Sequence, residues 1–394
     1  MTGEDEFDAL IVGAGPAGLC MAAGLARAGR RVAVLERQPV AAIAEPAFDG
    51  REIALTHRSI HILKELGVWQ LLPPAEIAPL KRARVMTGRH GYRLQFDQRE
   101  TPCAALGYLV ANHLIRKAAY TAATALPAIS FLPERRLAAL EAGATAVTLR
   151  TTGGEALRAR WLVVADGRWS ETRRALGIAA DMLDFGRSML VCRMRHDAPH
   201  EATAWEWFQD RCTMALLPLN GRESSVVITD NAAATQRLAE LEPAAFEREV
   251  ERRFDGALGA MQLSSTRHLY PLVATYARRF AREHAALIGD AAVGMHPVTA
   301  HGFNLGLQSA AGLLDELGRA APLLSRYEAA HNRRARPLYV GTNAIVHLYS
   351  DARPAARVLR MAGLHVANRL RPFKRLVLSS LTEFESADLP ATPH

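Results

Sequence analysis

Cysteine is scarce in this chain of 394 residues, which has four in all. Cys20, Cys103, Cys192 and Cys212 lie far apart, and no two of them form a CxxC pair. This spacing argues against a zinc site, an iron–sulfur cluster and a disulfide framework, so we expect no metal. The first eight residues also lack the basic start and the small-residue cleavage site of a secretion signal, so we expect a cytoplasmic protein.

Long apolar runs are also rare. One stretch, from Ala9 to Ala26, carries no charge and reaches the length at which a membrane-spanning helix is considered. Gly13, Gly15, Pro16 and Gly18 would break such a helix, whereas they suit a strand, a tight turn and the start of a helix. We therefore predict a strand–turn–helix unit here.

The charge is unevenly distributed along the chain. The net charge is +8, and residues 353–375 alone carry seven Lys or Arg and no Asp or Glu. The rest of the chain is close to neutral, so the basic excess does not indicate nucleic-acid binding. Hydrophobic residues make up 49% and charged residues 22%, which is typical of a folded protein of two or three domains at this length.

Periodic patterns predict an interrupted α/β arrangement. A strand, a helix and a strand are expected at residues 8–12, 16–27 and 32–35. A small antiparallel meander is expected between residues 129 and 164, in which Gly153-Gly154 separate runs over 146–150 and 156–160 and the last strand covers 161–165. A separate β-rich unit should follow. Its predicted strands cover residues 189–194, 203–208, 213–219 and 224–229. After this unit we expect helical spacing over 237–258, a strand from 270 to 290 and a helix after Gly302.

A glycine-rich segment at residues 13–18, Gly-Ala-Gly-Pro-Ala-Gly, directly follows the first strand and fits the GxGxxG pattern. Gly13 permits the tight turn, Gly15 lets a pyrophosphate approach the backbone, and Gly18 allows close packing of the helix on the strand. Glu36 ends the second strand and can accept hydrogen bonds from ribose hydroxyls. The segment predicts dinucleotide binding but does not distinguish NAD from FAD.

Two later segments distinguish the two cofactors. Residues 161–167, Trp-Leu-Val-Val-Ala-Asp-Gly, with Ser170 and Arg173 after them, resemble the Asp-Gly motif of group A flavoprotein monooxygenases. Residues 287–307 resemble the Gly-Asp motif of that family, and residues 49–55 resemble another of its segments. Either aspartate alone would be better explained as a turn or helix-cap residue. Their occurrence in the family's order favours a flavoprotein.

The resemblance implies an α/β (mixed α+β) fold similar to p-hydroxybenzoate hydroxylase. A Rossmann-like FAD-binding domain would carry an inserted antiparallel β-sheet substrate domain and be followed by C-terminal helices. The implied boundaries are 1–75, 105–180 and 270–345 for the FAD-binding domain, 76–104 and 181–269 for the substrate domain, and 346–394 for a C-terminal helical, basic amphipathic region.

The implied cofactor is FAD, with NAD(P)H as a co-substrate that has no Rossmann domain of its own. The resemblance places Asp290 at the ribityl chain, Gly302 and Asn304 near the flavin ring, and Asp166 close to the pyrophosphate. We assign no catalytic acid or base, because the cofactor carries the chemistry. The candidate cofactor-binding residues are Gly13, Ala14, Gly15, Pro16, Ala17, Glu36, Arg37, Arg51, Asn112, Asp166, Asp290, Pro297, Gly302, Phe303 and Asn304.

Within the family, residues 296–307 and 107–112 most resemble the ubiquinone-biosynthesis hydroxylases. This implies a monooxygenase that uses NAD(P)H and O₂, through a flavin hydroperoxide, to hydroxylate the aromatic ring of a ubiquinone precursor, a polyprenyl phenol. Many relatives have Gly-Gln or Ala-Gln before the glycine at position 302, where this chain has Ala300-His301. This departure leaves the substrate and the ring position open, and His301 fits a role at the flavin, at the substrate or in packing.

Several alternatives share these motifs. A geranylgeranyl-reductase-like enzyme or a hydroxylase of a different aromatic compound would have the same fold, and a non-catalytic relative would act in lipid binding or assembly. Trp205-Glu206-Trp207 resembles part of the WxWxIP signature of flavin halogenases, but Phe208-Gln209 follow where Ile-Pro should be. The three motifs together favour the hydroxylase.

The basic tail, residues 353–381, also contains many large apolar residues. One interpretation is a basic amphipathic helix that makes peripheral contact with the inner membrane surface, which suits a polyprenylated substrate and assembly with other quinone-pathway proteins. The other is a helix that packs on the body of the protein with a solvated basic face.

Overall fold

A computed structural model describes residues 5–87, 93–143, 145–209 and 212–350, together with Leu378, Ser379, Thr382 and Glu383. The strands are β1 (Asp5–Val12), β2 (Val32–Leu35), β3 (Glu52–Leu55), β4 (Ala78–Leu80), β5 (Arg82–Thr87), β6 (Arg93–Asp97), β7 (Gly107–Ala111), β8 (Ile129–Leu132), β9 (Leu137–Ala142), β10 (Val147–Thr151), β11 (Ala156–Val164), β12 (Ala180–His196), β13 (Thr203–Gln209), β14 (Cys212–Pro218), β15 (Glu223–Asn231), β16 (Met261–Leu263), β17 (His268–Ala277), β18 (Ala281–Arg282), β19 (Ala285–Leu287) and β20 (Val293–Gly294). The helices are α1 (Pro16–Arg27), α2 (Val40–Ala44), α3 (His57–Glu65), α4 (Asn112–Thr124), α5 (Glu171–Ala175), α6 (Ala232–Glu240), α7 (Pro243–Arg253), α8 (His301–Leu317) and α9 (Leu324–Ser350).

The first sheet has eight strands, and its central order is β18-β19-β11-β1-β2-β8. Strands β1, β2, β8, β11 and β19 pair in parallel, as expected when helices cross between them. Strand β1, the turn after it, α1 and β2 confirm the predicted unit, so the uncharged stretch from Ala9 to Ala26 is not a membrane span. No helix within the described parts of the chain is long and apolar enough to cross a membrane.

The predicted meander is present as β9, β10 and β11, but it joins the first sheet. The expectation of separate strands over 156–160 and 161–165 is wrong. They form the single strand β11, which pairs with antiparallel β10 through its first half and with parallel β1 along its length. The charged residues Arg158 and Arg160 alternate with buried Leu157 and Ala159, so the chain stays extended without a turn.

The second sheet has nine strands in the main order β20-β17-β12-β15-β14-β13-β5-β6. The four predicted strands correspond to β12 to β15, although β12 runs for 17 residues and begins earlier than expected. The single strand predicted over 270–290 is wrong, because β17 belongs to the second sheet and β19 to the first. The division of the chain into domains at the boundaries given above stays a prediction.

Three packed regions position the site between these sheets. The largest core surrounds the first sheet and α1, α4 and α8. A second core lies between one face of the second sheet and α7. A small antiparallel sheet, β3-β7-β4, lies where the two regions meet, since Ala54 of β3 clusters with Leu217 of β14. Most of the predicted tail, residues 353–381, lies outside the described residues.

Candidate active site

The glycine turn lies between β1 and α1. Gly13 has a φ of +108°, and a β-carbon there would lie 2.5 Å from the carbonyl oxygen of Ala165. Gly15 is the N-cap of α1, whose first turn has no side-chain cap, and no protein atom lies within 4 Å of a β-carbon built on it. Free amides at a helix N-terminus beside open space are suited to an anion such as a pyrophosphate. Pro16 and Ala17 in this turn are partly accessible.

Glu36 extends from the end of β2 to this turn. Its carboxylate accepts hydrogen bonds from the amide of Ala14 at 2.8 Å and from the amide of Gln38 at 3.0 Å. These two bonds fix the carboxylate beside the open space in front of Gly15 and leave lone pairs for a ribose hydroxyl. Arg37, the next residue, is exposed on the surface.

The Asp-Gly segment packs directly on the glycine turn. A β-carbon on Gly18 would clash with the Gly13 carbonyl oxygen, which requires glycine there, and would lie 3.2 Å from the Ala165 methyl group. The carboxylate of Asp166 accepts hydrogen bonds from the Ser170 hydroxyl and, at 3.1 Å, from the amide of Thr172. Ser170 is the N-cap of the short helix α5, and Asp166 supports this cap, so it is the backbone of Asp166 that lies beside the turn.

The Gly-Asp segment closes the same site from the other side. A β-carbon on Gly289 would lie 3.3 Å from the Ala17 methyl group, and the Gly289 amide donates to the Ser309 hydroxyl at 3.0 Å. Asp290 forms an ion pair with Arg168 at 2.9 Å, and its side chain remains 39% exposed. The three sequence motifs are thus brought together.

Two arginines after the Asp-Gly pair join it to the Gly-Asp segment. Arg168 donates to Asp290 and, at 2.7 Å, to the carbonyl of Val273. Buried Arg173 donates to the carbonyls of Ala291 at 2.8 Å and of Arg168 at 3.1 Å. Sequence reasoning quoted Arg173 as part of a motif and missed Arg168, whose only signal was its place directly after Gly167.

Arg51 and Asn112 meet at Asp49. Arg51 forms an ion pair with Asp49 at 2.6 Å, and the Asn112 amide donates to the same carboxylate at 2.7 Å. Burial disfavours the charged carboxylate, but these bonds outweigh it and lower the pKa of Asp49. The Arg51 guanidinium lies over the ring of Tyr270 at 5.3 Å and within electrostatic range of Asp290. Sequence reasoning missed Asp49 as the common partner and missed Tyr270 altogether.

The start of α8 forms the remaining wall. Ala300 adopts a left-handed conformation with a φ of +53°, which turns the chain from exposed Pro297 into the helix. The first turn of α8 has no side-chain cap, and the nearest side-chain atom to a β-carbon on Gly302 is 4.0 Å away. Backbone amides therefore face open space here, as they do at α1. Phe303 packs against the large core.

Asn304 joins two elements of the site through its side chain. Its side-chain amide donates to the carbonyls of Ala54 at 2.8 Å and Ala300 at 2.9 Å, and its oxygen accepts from the amide of Thr56 at 3.1 Å. The side chain is 2% exposed, and its two N–H groups are both used. It fastens β3 to the start of α8.

Comparison with known proteins identifies the group to which this arrangement belongs. Residues 6–338 match the family described as FAD binding domain. The chain belongs to this FAD-binding family. The enzyme is an FAD-dependent monooxygenase of the ubiquinone-biosynthesis hydroxylase group, which confirms the family, fold and FAD cofactor predicted from the motifs. Two open helix N-termini, with a carboxylate fixed beside the first of them, fit an elongated dinucleotide.

Named relatives extend over nearly all of this monooxygenase. It is 43% identical over 388 residues to ubiquinone hydroxylase UbiM of Neisseria meningitidis, covering 95% of this chain and 84% of the relative. It is 34% identical to ubiquinone hydroxylase UbiL of Rhodospirillum rubrum, covering 94% and 88%. Among solved structures, p-nitrophenol 4-monooxygenase PnpA of Pseudomonas putida has a TM-score of 0.77 at 20% identity, covering 96% and 99% of the two chains.

Proposed function

We propose that this monooxygenase hydroxylates the aromatic ring of a ubiquinone precursor that carries a polyprenyl chain. The observation that carries the proposal is the 43% identity, over 95% of the chain, to a relative named as a ubiquinone hydroxylase. The reaction would consume the precursor, O₂, NAD(P)H and one proton, and release the hydroxylated precursor, NAD(P)⁺ and water. The assay below compares NADH with NADPH as the reductant of the flavin, and its product identifies the hydroxylated ring carbon.

The open groups of the site support a particular assignment of FAD contacts. The amides at the start of α1, around Gly15, would bind the pyrophosphate, and Glu36 would bind the ribose hydroxyls of the adenosine half. Asp290, still partly exposed beside Arg168, would bind the ribityl chain. The amides around Gly302 would donate to a carbonyl of the flavin ring.

The other candidate residues would act mainly by positioning. Arg51 and Asn112 would be held in position through their common partner Asp49, while Asn304 would hold the start of α8 against β3. Asp166 would hold its loop through α5. The remaining candidates would contribute backbone or surface contacts, and they are Gly13, Ala14, Pro16, Ala17, Arg37, Pro297 and Phe303.

The flavin, when bound, supplies electron transfer from NAD(P)H and the activation of O₂. The protein must then hold the ring of the substrate close to the cofactor and keep water away from it. The apolar face of the second sheet, with Met189, Val191 and Leu272, is suited to both tasks.

Anaerobic reduction of the purified holoenzyme by NADH and by NADPH, followed by mixing with ¹⁸O₂ and a polyprenyl phenol, tests the proposal. We expect flavin bleaching on reduction and a product that is heavier by one ¹⁸O atom. Rapid reduction followed only by peroxide release, with every phenol and benzoquinol precursor tried, would contradict it. Saturation of the prenyl chain without oxygen consumption would favour the geranylgeranyl-reductase alternative.

We also propose that the basic tail, residues 353–381, brings the enzyme to an anionic membrane surface, where a polyprenyl chain would reside. The support is its seven basic residues between 353 and 375, interleaved with large apolar ones. The full chain should sediment with vesicles that contain anionic lipid and should be released by salt. Equal sedimentation of a folded chain that ends at residue 352 would contradict the role of the tail.

A further inference from the structure

Glu206 lies in the middle of β13, between two tryptophans. The tryptophan rings pack on the α7 side of the second sheet, where Trp207 contacts Phe254 at a ring distance of 5.3 Å. Successive side chains of a strand point to opposite faces. The carboxyl group of Glu206 therefore lies on the other face of the sheet, the face turned away from α7.

The neighbours of Glu206 on that face are apolar. Across the sheet, Glu206 is paired with Val85 of β5 on one side and with Ala215 of β14 on the other, and the row continues to Val227. The nearest basic side chain on β5, Arg84, lies over the Trp205 ring on the opposite face. Within the described parts of the chain, no hydrogen bond or ion pair is formed by the Glu206 carboxyl group.

Burial acts alone on this group and raises the pKa of Glu206 to about 8. The side chain is nevertheless partly accessible to solvent. A carboxyl group that is surrounded by protein and still partly accessible to solvent lines a recess. A carboxyl group placed there without a partner is costly, and such groups concentrate at functional sites.

The same face of the sheet is turned toward the proposed FAD contacts. Gly50 lies against Val191, which continues the row of Glu206 through Val227, and a β-carbon on Gly50 would lie 2.8 Å from the Val191 side chain. Leu217, the next residue of β14 on that face, clusters with Ala54. The Ala54 carbonyl is the group that Asn304 holds. The face of the sheet that carries Glu206 is therefore the face that meets β3, which Asn304 fastens to the start of α8.

We propose that Glu206 is the catalytic base that takes the proton of the substrate's ring hydroxyl group. This inference rests on the proposed function. The O–H bond of the phenol breaks, the proton moves to a carboxylate oxygen of Glu206, and the electron pair stays on the phenolic oxygen. No electron leaves the substrate in this step. The phenolate so formed makes the ortho and para carbons more nucleophilic toward the oxygen atom that is transferred.

The environment of Glu206 suits this role. An ordinary glutamate is a much weaker base than a phenolate, with a pKa about 6 units lower. The apolar recess closes most of that gap and makes proton transfer from a phenol less unfavourable. The same recess would accept the apolar prenyl chain and ring, and their binding would further exclude water.

A pH profile tests the proposal. Hydroxylation of 2-geranylphenol in a single turnover, started by mixing the reduced holoenzyme with O₂, is followed from about pH 6 to about pH 10. We expect the hydroxylation rate of the wild type to rise as Glu206 loses its proton around pH 8, and we expect this rise to be absent in Glu206→Gln, where hydroxylation should increase only as the pH approaches the phenol's own pKa. The same pH profile in both proteins would overturn the proposal.

A turnover measurement separates a base from a residue that only shapes the site. In Glu206→Gln, flavin reduction should be unchanged, whereas hydroxylation of 2-geranylphenol should fall by about 10² or more with a matching rise in peroxide. Ring-fluorinated derivatives with progressively lower hydroxyl pKa values should restore hydroxylation in the variant. Glu201→Gln, the same change at an exposed glutamate just before β13, should behave as wild type.

The outcomes distinguish this inference from the proposed function. A variant that hydroxylates 2-geranylphenol at the wild-type rate, or one that fluorinated phenols do not rescue, would overturn the role of Glu206 as base. A wild-type enzyme that binds 2-geranylphenol and reduces its flavin but hydroxylates no phenol would overturn the proposed function and, with it, this inference. A wild-type enzyme that neither binds nor hydroxylates any phenol would overturn both.

Discussion

The Asn304 side chain is the most sharply testable positioning element, because three hydrogen bonds depend on it. Replacement by alanine would leave the Thr56 amide and the Ala54 carbonyl without this partner in a buried setting. Each net bond contributes about 1 kcal/mol, and an unsatisfied buried group costs about 1–3 kcal/mol. We therefore expect Asn304→Ala to lower the free energy of unfolding by about 3 kcal/mol and to weaken FAD binding, because the start of α8 is released from β3.

Asn304→Asp sharpens the test. The aspartate keeps the acceptor for the Thr56 amide but places a second oxygen against the carbonyls of Ala54 and Ala300. Its pKa should be raised, so its stability deficit should grow as the pH rises from 4 toward 7, whereas the deficit of the alanine variant should stay flat. Urea unfolding and flavin fluorescence titration measure the two quantities.

Gln236→Ala is a matched control, since it removes one exposed amide side chain with a single bond, to Glu240. It should change the unfolding free energy by no more than about 0.5 kcal/mol. If both Asn304 variants unfold within that same margin of the wild type and bind FAD equally well, the inference that this side chain fastens β3 to α8 is refuted.

Three further predictions follow from the described contacts. Gly13→Ala should abolish FAD binding measured by flavin absorbance, because its methyl group would lie 2.5 Å from the Ala165 carbonyl oxygen and its φ would stay at +108°. Arg173→Met should cost about 2–4 kcal/mol in urea unfolding, since the buried carbonyl of Ala291 and the partly buried carbonyl of Arg168 lose their donor. Glu206 has a folded-state pKa of about 8, above its unfolded value of 4.5, so its stabilising proton is fully bound below pH 4.5 and its contribution is lost as the pH rises to about 8. Wild type should therefore lose on the order of 2–4 kcal/mol relative to Glu206→Gln between pH 5 and pH 9, and a constant difference would contradict the pKa assignment.

The first motif could be predicted well because its signals are local. The glycine turn, α1 and β2 depend on backbone sterics and helix-start chemistry within one run of residues, and their predicted bounds agree with the structure to within a few residues at β1. The Asp-Gly and Gly-Asp segments follow the glycine turn along the chain in the order of the family's motifs. In the structure both segments pack against the glycine turn through close contacts at Gly18 and Gly289. These contacts join distant parts of the chain and cannot be predicted from the order of the segments.

The strand predictions were wrong where the pairing between strands determines the bounds of a strand or the sheet that it joins. Residues 156–160 alternate and residues 161–165 form an apolar run, and the break expected between them is absent because β11 has partners along its whole length. Residues 268–287 look continuous in sequence but pass from one sheet to the other, because β17 pairs with β12 and β19 pairs with β11. Periodicity reports that a segment is extended, and it does not report which sheet the segment joins.

The roles of side chains in the site were the hardest to predict from the sequence, because their partners are set by the fold. Asn304 belongs to a flavin-family motif, yet its polar atoms are used by Ala54, Thr56 and Ala300, two of which lie about 250 residues away in the chain. Arg168 and Tyr270 have no motif of their own. Hydrogen-bond partners at such separations follow from the fold and cannot be read from spacing.

Glu206 shows how the two kinds of information combine. In the segment Trp205-Glu206-Trp207-Phe208, both faces of the strand carry large apolar residues. The sequence therefore does not reveal which face packs against the core. Once α7 is seen to cover the tryptophans, the carboxyl group must lie on the face turned to Ala54 and Gly50. A leucine would fill an apolar face at lower cost than an unpaired carboxyl group. The position is therefore better explained by proton transfer to a bound phenol than by packing.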